Sequence, residues 1–427
     1  MPTLTEIQAK GVLGEFDYRI EFVSSEDQTV RAVYGENGTG KTKFLNALND
    51  LFSSGGSNLA SLLQAEIEVL SVNTDLGTVR FKRVCGDGVC RGEIEIVSKE
   101  NEDSRVFKFL LDSSEEGDIS LEEDELLDLQ NCIRRILGDA IYVRDDRVFN
   151  ARLAEQSARE MALYYPLPPA IRRRILSEVA VEPLSDLMAR LEDQFGRKIL
   201  DITTGQQDGD AVFSTLAQRV VGAGEDIRAS EAREEIEESI ERILQNGQAL
   251  ESMRMIQLDS VRDIRSLVNE LRLNDRNFPQ LLSILEYHFD SIQKRIESLD
   301  PIRIEIDNFV KTVNGFLRRK KFTYYSDKGL VLEGRNGRLD DYAMLSSGER
   351  HLLTLLAQVA LAAPNTTLII IDEPEISLGL DWQRKILNAL INLMPDKNIK
   401  LLVASHSMQV TSGLPLSSIS NPISRIG

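Results

Sequence analysis

The chain has little sulfur, little histidine and no long apolar run. Its 427 residues include three cysteines, three histidines and one tryptophan. No stretch of about 18 apolar residues occurs, so no segment reads as a membrane span. Cys85, Cys90 and Cys132 are too few for a disulfide framework, which points to a reducing cytoplasm. Cys85 and Cys90 flank a Gly-Asp-Gly-Val turn pattern, the mark of a hairpin. A metal there would need two more ligands from a chain poor in histidine, so ordinary packing is expected. The opening residues, MPTLTEIQAKG, lack the basic and apolar blocks of a secretory leader. Positive charge is also scarce. Lys and Arg number 50 against 68 Asp and Glu, a formal net charge of −18. That argues against a surface broadly coated for nucleic acid, although a local basic groove stays open.

What is present is an ordinary globular composition, 42% hydrophobic and 28% charged, in a chain long enough for two or three structural units. Tyr18, Ile20 and Phe22 alternate as one face of a strand. Arg31 to Gly35 is a short strand running into a glycine-rich loop. Phe44, Leu45, Leu48 and Phe52 then recur with helical spacing. From Glu66 to Val97, runs of β-forming residues split by turn signals predict an antiparallel sheet. The acidic stretch Ser113 to Asp128 reads as a solvated loop or helix face.

Residues 151–316 carry mostly helical signals. Ala232, Ile236, Ile240 and Ile243 share one stripe. Leu285, Phe289, Ile292, Ile296 and Leu299 step by four and three, the seam of a short coiled coil or helical hairpin. Two heptads suit a packed bundle better than an extended arm. After Phe316, KFTYY and GLVLEG flank a probable turn. A helix is predicted from Ser347, an apolar strand at TLIIID, a helix near Asp381 and a last strand at KLLVAS. Strand–helix–strand order with continuous apolar runs predicts a parallel sheet covered by helices. The expected organisation is an α/β core of residues 1–150 and 317–427, interrupted by a helical insertion at 151–316.

Four short motifs carry chemistry. Gly35-Glu36-Asn37-Gly38-Thr39-Gly40-Lys41-Thr42 has the form G-x-x-x-x-G-K-[ST], a P-loop, with Lys43 following. Its glycines let backbone N–H groups curl round phosphate oxygens. The next helix points its positive end at them. Lys41 is expected on the β and γ phosphates and the Thr42 hydroxyl on Mg²⁺. Leu368 to Glu375, LIIIDEPE, is an apolar strand ending in carboxylates. Asp372 suits the magnesium and Glu373 the general base for an attacking water. Leu345 to Glu349, LSSGE, opens a helix. His406 directly follows the last strand, in VASHS.

With these in place, the chain resembles the ABC ATPase superfamily, whose signature LSSGE approximates and whose Walker B acids lie about 25 residues beyond it. The combination of LSSGER, DEPEISL, DWQ and VASHS is similar to the branch holding the OLD, RecF and SMC-like ATPases. Anti-phage ATPases of the Septu, retron and PARIS systems belong to that branch. The resemblance implies an ABC ATPase head, ATP and Mg²⁺ as ligands, and two copies closing on two nucleotides. It implies that Ser346, Ser347, Gly348 and Glu349 face the partner subunit's γ phosphate, and that His406 is the switch histidine. Gly379 stands where many relatives have His or Asp, and Asp381 is the alternative D-loop contact. Arg144 and Asp145 follow a predicted strand, where they read as a structural ion pair or, alternatively, as residues approaching the site. Phe16 or Tyr18 is a candidate for stacking on adenine. His288 falls on an apolar helical stripe and His351 on the signature helix.

A Toprim nuclease domain is not expected in this chain, whose sequence runs only to Gly427 after His406. Three histidines are too few for an HNH centre. The expectation is a switch that homodimerises, or forms a higher homo-oligomer, and regulates a separately encoded effector such as a nuclease. The competing expectation is a RecF- or SMC-like DNA-maintenance ATPase. The basic clusters at Arg172 to Arg174 and Arg318 to Lys321 favour it weakly.

Overall fold

A computed structural model describes residues 1–22, 29–86, 89–99, 104–110, 119–143, 183–204, 229–270, 278–335, 337–339, 342–396 and 398–425. Arg144, Asp145, Arg172 to Arg174 and most of the acidic stretch before Ile119 lie outside them, as does the side chain of Ala232. The architecture is mixed α/β. The chain divides into two compact units, one of residues 1–187 with 345–427 and the other of residues 188–344.

The first unit holds two sheets. One has seven strands in the order β15-β2-β1-β4-β5-β6-β7, every neighbour antiparallel. Its members are β1 (Leu4–Val12), β2 (Phe16–Glu21), β4 (Val69–Thr74), β5 (Gly77–Gly86), β6 (Val89–Ser98), β7 (Ser104–Leu110) and β15 (Ile423–Ser424). The other is parallel, in the order β14-β3-β13-β12-β8. It comprises β3 (Val30–Tyr34), β8 (Asp139–Val143), β12 (Thr366–Asp372), β13 (Lys400–Ser405) and β14 (Ile419–Ser420). All residues of β12 and β13 are buried. Continuous apolar runs are what a parallel sheet requires, because helices cover its faces.

Helix α1 (Lys41–Ser53) packs against β8, β12 and β13 on the parallel sheet and against β1 on the antiparallel one. Phe44, Leu45 and Leu48 are fully buried, as their spacing predicts. Burying each such side chain contributes about 1.5–3 kcal/mol. They join Tyr18, Ile20 and Phe22 in one hydrophobic core. α2 (Gly56–Gln64) and α3 (Glu123–Leu137) extend it, and α3 keeps the acidic residues Glu123 to Glu125 in its first turn, where they complement the helix dipole.

One expectation fails here. Cys85 and Cys90 face each other across the β5–β6 hairpin and form a disulfide. Directly opposed cross-strand positions bring Cβ atoms within bonding reach. Cys132 is the free cysteine among the described residues.

The second unit is helical with a small sheet. α4 (Pro183–Thr204) begins before it; α5 (Ala229–Ser252), α6 (Asp259–Glu270) and α7 (Phe278–Asn314) lie within it. Ile236, Ile240 and Ile243 of α5 are buried, as are Leu285, Phe289, Ile296 and Leu299 of α7, and the two helices pack together. α7 runs 37 residues and passes through Pro301, longer than its heptads alone predict. His288 is exposed on it rather than part of the apolar stripe. β9 (Lys321–Tyr325), β10 (Gly329–Gly334) and β11 (Gly337–Leu339) form an antiparallel meander. The sequence reading grouped residues 317–344 with the C-terminal lobe. Compactness groups them with the helices, because β9 packs on α7 and the Asn314 amide brackets Phe322 by donating to its carbonyl and accepting from its N–H.

Candidate nucleotide site

Three segments meet at the C-terminal ends of β3, β12 and β13, within the first unit. The first is the loop Gly35–Gly40. Gly38 and Gly40 adopt φ of 90° and 84°, a region that side chains disfavour. A Cβ on Gly40 would also lie 2.8 Å from Val12 Cγ1. The loop is held from behind by β2. The Tyr18 hydroxyl donates to the Thr39 carbonyl at 2.7 Å, and its ring stacks on Phe44 at 4.7 Å. Tyr18 is therefore buried and engaged in the loop's support, which removes it as an adenine platform.

Lys41 is buried at the start of α1. Its Nζ donates to the Gly35 carbonyl at 2.7 Å and the Glu36 carbonyl at 2.9 Å, so the ammonium sits inside the curl of the loop. Glu36, Asn37 and Gly38 are exposed. The Thr39 hydroxyl donates to the Glu36 carbonyl at 3.0 Å. Lys43 turns away and pairs with Glu66 at 2.6 Å on the exposed side of α1.

The second segment is the end of β12. The Thr42 side chain hydrogen-bonds Asp372. Burial pushes the Asp372 carboxyl up to about 6; the Thr42 bond partly offsets this, and the neighbouring Glu373 charge adds to it. Asp372 Oδ1 is buried without a hydrogen-bond partner among the described residues. An orphaned carboxylate oxygen beside a threonine hydroxyl and a lysine is the chemistry a magnesium ion fits. Such an ion takes one or two protein oxygens and completes its shell with water and phosphate. Among the described residues no group of three or more His, Cys, Asp or Glu could hold a metal, so a closed protein cage is not what these residues form.

Glu373 has φ of 51°, a strained value for a residue with a side chain, and its N–H donates to the Ala404 carbonyl at 2.9 Å. That bond to β13 continues the parallel ladder and then lets the chain turn sharply. Glu373 Oε1 comes within 3.6 Å of His406 Nδ1. The third segment, Ser405 to Ser407, is gathered by Glu375, a buried carboxylate. Its Oε1 accepts from the Ser405 hydroxyl at 2.7 Å, the His406 N–H at 2.9 Å and the Ser407 N–H at 3.2 Å. The structure thus brings Lys41, Thr42, Asp372, Glu373 and His406 together.

The LSSGE segment is placed by its own local chemistry. Ser346 caps α8 (Ser347–Ala360) in a full capping box. Glu349 N–H donates to Ser346 Oγ at 3.3 Å, and Ser346 N–H donates to Glu349 Oε2 at 2.7 Å. Gly348 packs on the turn that follows Glu373, where a Cβ would lie 2.5 Å from the Ser377 carbonyl oxygen. Ser346 and Ser347 are exposed, while His351 is buried on α8. Gly379 caps α9 (Leu380–Leu393) with extended backbone, and Asp381 occupies its first turn.

Sequence reasoning missed the contacts of Glu375 and Gln383 and read Tyr18 as a candidate for adenine stacking. Glu375 reads as a flank of the Asp-Glu pair. Gln383 reads as the last residue of the DWQ motif. Its amide donates to the Leu378 carbonyl at 2.9 Å and accepts from the Ser407 hydroxyl at 2.8 Å. The DEPE and DWQ motifs contain Glu375 and Gln383, but neither motif specifies these contacts.

Residues 225–412 match a family model described as an AAA domain, putative AbiEii toxin, type IV toxin–antitoxin system. That span includes Asp372, Glu373 and His406 but not Gly35–Thr42. No curated protein matches. Among solved structures the chain is similar to an SMC head bound to the C-terminal winged-helix domain of ScpA, at 11% identity and a TM-score of 0.37 over 99% of this chain and 98% of that one. It is also similar to the SMC head domain from Thermotoga maritima, at 11% identity and a TM-score of 0.33 over the same shares. The matched model covers less than half of the sequence, so what it contributes is a likeness to AAA-type domains across the C-terminal motifs.

Proposed function

We propose that this chain binds ATP with Mg²⁺ at Gly35–Thr42 and hydrolyses it. The observation that carries the reading is the meeting of Lys41, the Thr42–Asp372 bond and the orphaned Asp372 Oδ1 at one end of the parallel sheet. In this reading the loop N–H groups and Lys41 bind and orient the phosphates, and Thr42 and Asp372 hold the metal. Bound magnesium supplies charge neutralisation of the phosphate oxygens. Glu373 accepts the proton of the attacking water. His406 lines the γ-phosphate side, and Phe16 is left as the adenine neighbour. Phosphate release measured with Mg²⁺ and with EDTA tests this. Turnover is expected only with the metal, and Lys41→Ala should abolish nucleotide binding. Equal turnover by Lys41→Ala would refute the site.

The hydrolysing unit is proposed to be two copies of the chain, each presenting Ser346 to Glu349 to the other's nucleotide. Exposed apolar residues support it: Leu380 at the start of α9 is 59% exposed and Met408, two residues after His406, is 68% exposed. Apolar groups beside a polar site favour a surface that becomes covered. The output is proposed to be control of a separate effector, a nuclease, in defence against phage, in the cytoplasm. In that compartment the Cys85–Cys90 bond would be reversible rather than structural. Pull-down with the products of neighbouring genes tests the partner; full biological activity by the chain alone would remove it.

A DNA-maintenance role is the second reading. Arg318 and Arg319 are exposed beside Lys320 and Lys321. Duplex binding that needs ATP and falls steeply with salt would favour it.

A further inference from the structure

We propose that Glu375 is a positioning residue that acts through His406, holding its ring with Nδ1–H toward the carboxylate beside Glu373. The proposal rests on the ATPase reading of the same site.

The Glu375 side chain is 4% exposed, and His406 Nδ1 lies 3.2 Å from its Oε1. A carboxylate buried that deeply is costly unless donors surround it. Here the donors are concentrated on one oxygen. The Ser405 hydroxyl and the His406 and Ser407 N–H groups all reach Oε1, whereas Oε2 is buried with no hydrogen-bond partner among the described residues. Glu375 turns a single oxygen to three consecutive residues, the middle one a histidine.

The main chain of His406 is thus tied to Oε1 through its N–H, and the ring places Nδ1 3.2 Å from the same oxygen. A histidine whose Nδ1–H is bound by a carboxylate has its tautomer set by that bond. Nε2 is then the ring nitrogen left for the reacting water or a phosphate. Gln383 completes the frame. Its side chain bridges the Leu378 carbonyl and the Ser407 hydroxyl, which joins the turn after Glu373 to the segment after His406. Glu373 Oε1, 3.6 Å from the same Nδ1, shares the fixed ring as a neighbour.

Two measurements on the full chain test this. The first does not depend on turnover. With only three histidines in the sequence, long-range ¹⁵N–¹H spectra resolve three imidazoles, and His406→Ala assigns one. At a pH where the ring is neutral, His406 should show the Nδ1–H tautomer, and Glu375→Ala should convert it to the Nε2–H form. An Nε2–H ring in the wild type, or no change in Glu375→Ala, overturns the proposal. If Glu375→Ala does not fold, Glu375→Gln is read in the same way, with a weakened preference expected.

The second is a double-mutant cycle on ATP turnover. Glu375→Ala should lower kcat about tenfold with KM within about threefold. In the His406→Ala background it should add less than about twofold. A full tenfold loss in that background shows that Glu375 acts elsewhere and overturns the proposal. Glu373→Gln, run alongside, reports on the ATPase reading by itself. If that variant is as active as the wild type, the reading fails while the tautomer result still decides Glu375.

Discussion

Burial holds the Asp372 carboxyl up at about 6, from an ordinary value near 3.8. The raised value means that Asp372 favours the folded state fully below pH 3.8 and that this contribution is lost as pH rises through 6. The difference corresponds to about 3 kcal/mol. At neutral pH the ligand-free site therefore works against stability, as expected for a carboxylate kept for a cation. Asp372→Asn should raise the melting temperature at pH 7.5, leave it nearly unchanged at pH 4, and lose Mg²⁺-dependent turnover. A lower melting temperature at pH 7.5 would show that the carboxylate is stabilising as it stands. Glu373 is the second residue-scale test. Glu373→Gln should bind ATP as the wild type does and lose at least about 10²-fold in kcat, read by single-turnover phosphate release. Wild-type turnover would remove it as the base.

At the scale of elements, the turn from Glu373 to Gly379 couples the β12 acids to α8. Gly348 approaches the Ser377 carbonyl so closely that a methyl group would sit 2.5 Å from a backbone oxygen, which cannot swing aside. Ser377 itself has φ of 62°. Gly348→Ala should cost about 1–3 kcal/mol of stability and lower kcat with little change in ATP affinity. Thermal melts and fluorescent-nucleotide titration read the two effects. Unchanged stability would mean the turn is free to move. The β5–β6 hairpin gives an independent check: the folded, unreduced chain should titrate one thiol, Cys132, and three after reduction.

Elements with a strong local signal were legible in the sequence. The P-loop announces itself because glycines with positive φ and a lysine at fixed spacing have few other uses. β12 and β13 do so because apolar runs ending in acid or in Ser-His fit little else. Glu375 was not legible, since nothing in a sequence tells which of three carboxylates turns back toward a later loop. The Cys85–Cys90 pairing was hidden by the low cysteine count, although the antiparallel pairing of the strands that carry them was expected. Tyr18 was assigned to a strand face and to adenine stacking, and its hydroxyl bond to the Thr39 carbonyl is a contact between distant segments that only the fold supplies.

At the scale of the whole molecule, the proposed hydrolysis requires a second copy. The chain presents Ser346 and Ser347 on its surface at the start of α8, and Leu380 and Met408 exposed near the site. The net charge of −18 opposes non-specific association, so pairing has to be driven by something local. In the proposed function, bound nucleotide is that driver, contacted from both sides. The helical insertion was expected at 151–316 and the meander with the C-terminal lobe, whereas one compact unit spans 188–344, because a β-hairpin signal says nothing about which neighbour it packs against. The most direct test is the mass of Glu373→Gln in solution by light scattering. With ATP and Mg²⁺ it should rise from the 47.9 kDa of one chain to twice that value, and the rise should vanish in Lys41→Ala. A mass that stays the same with and without MgATP would contradict the central claim.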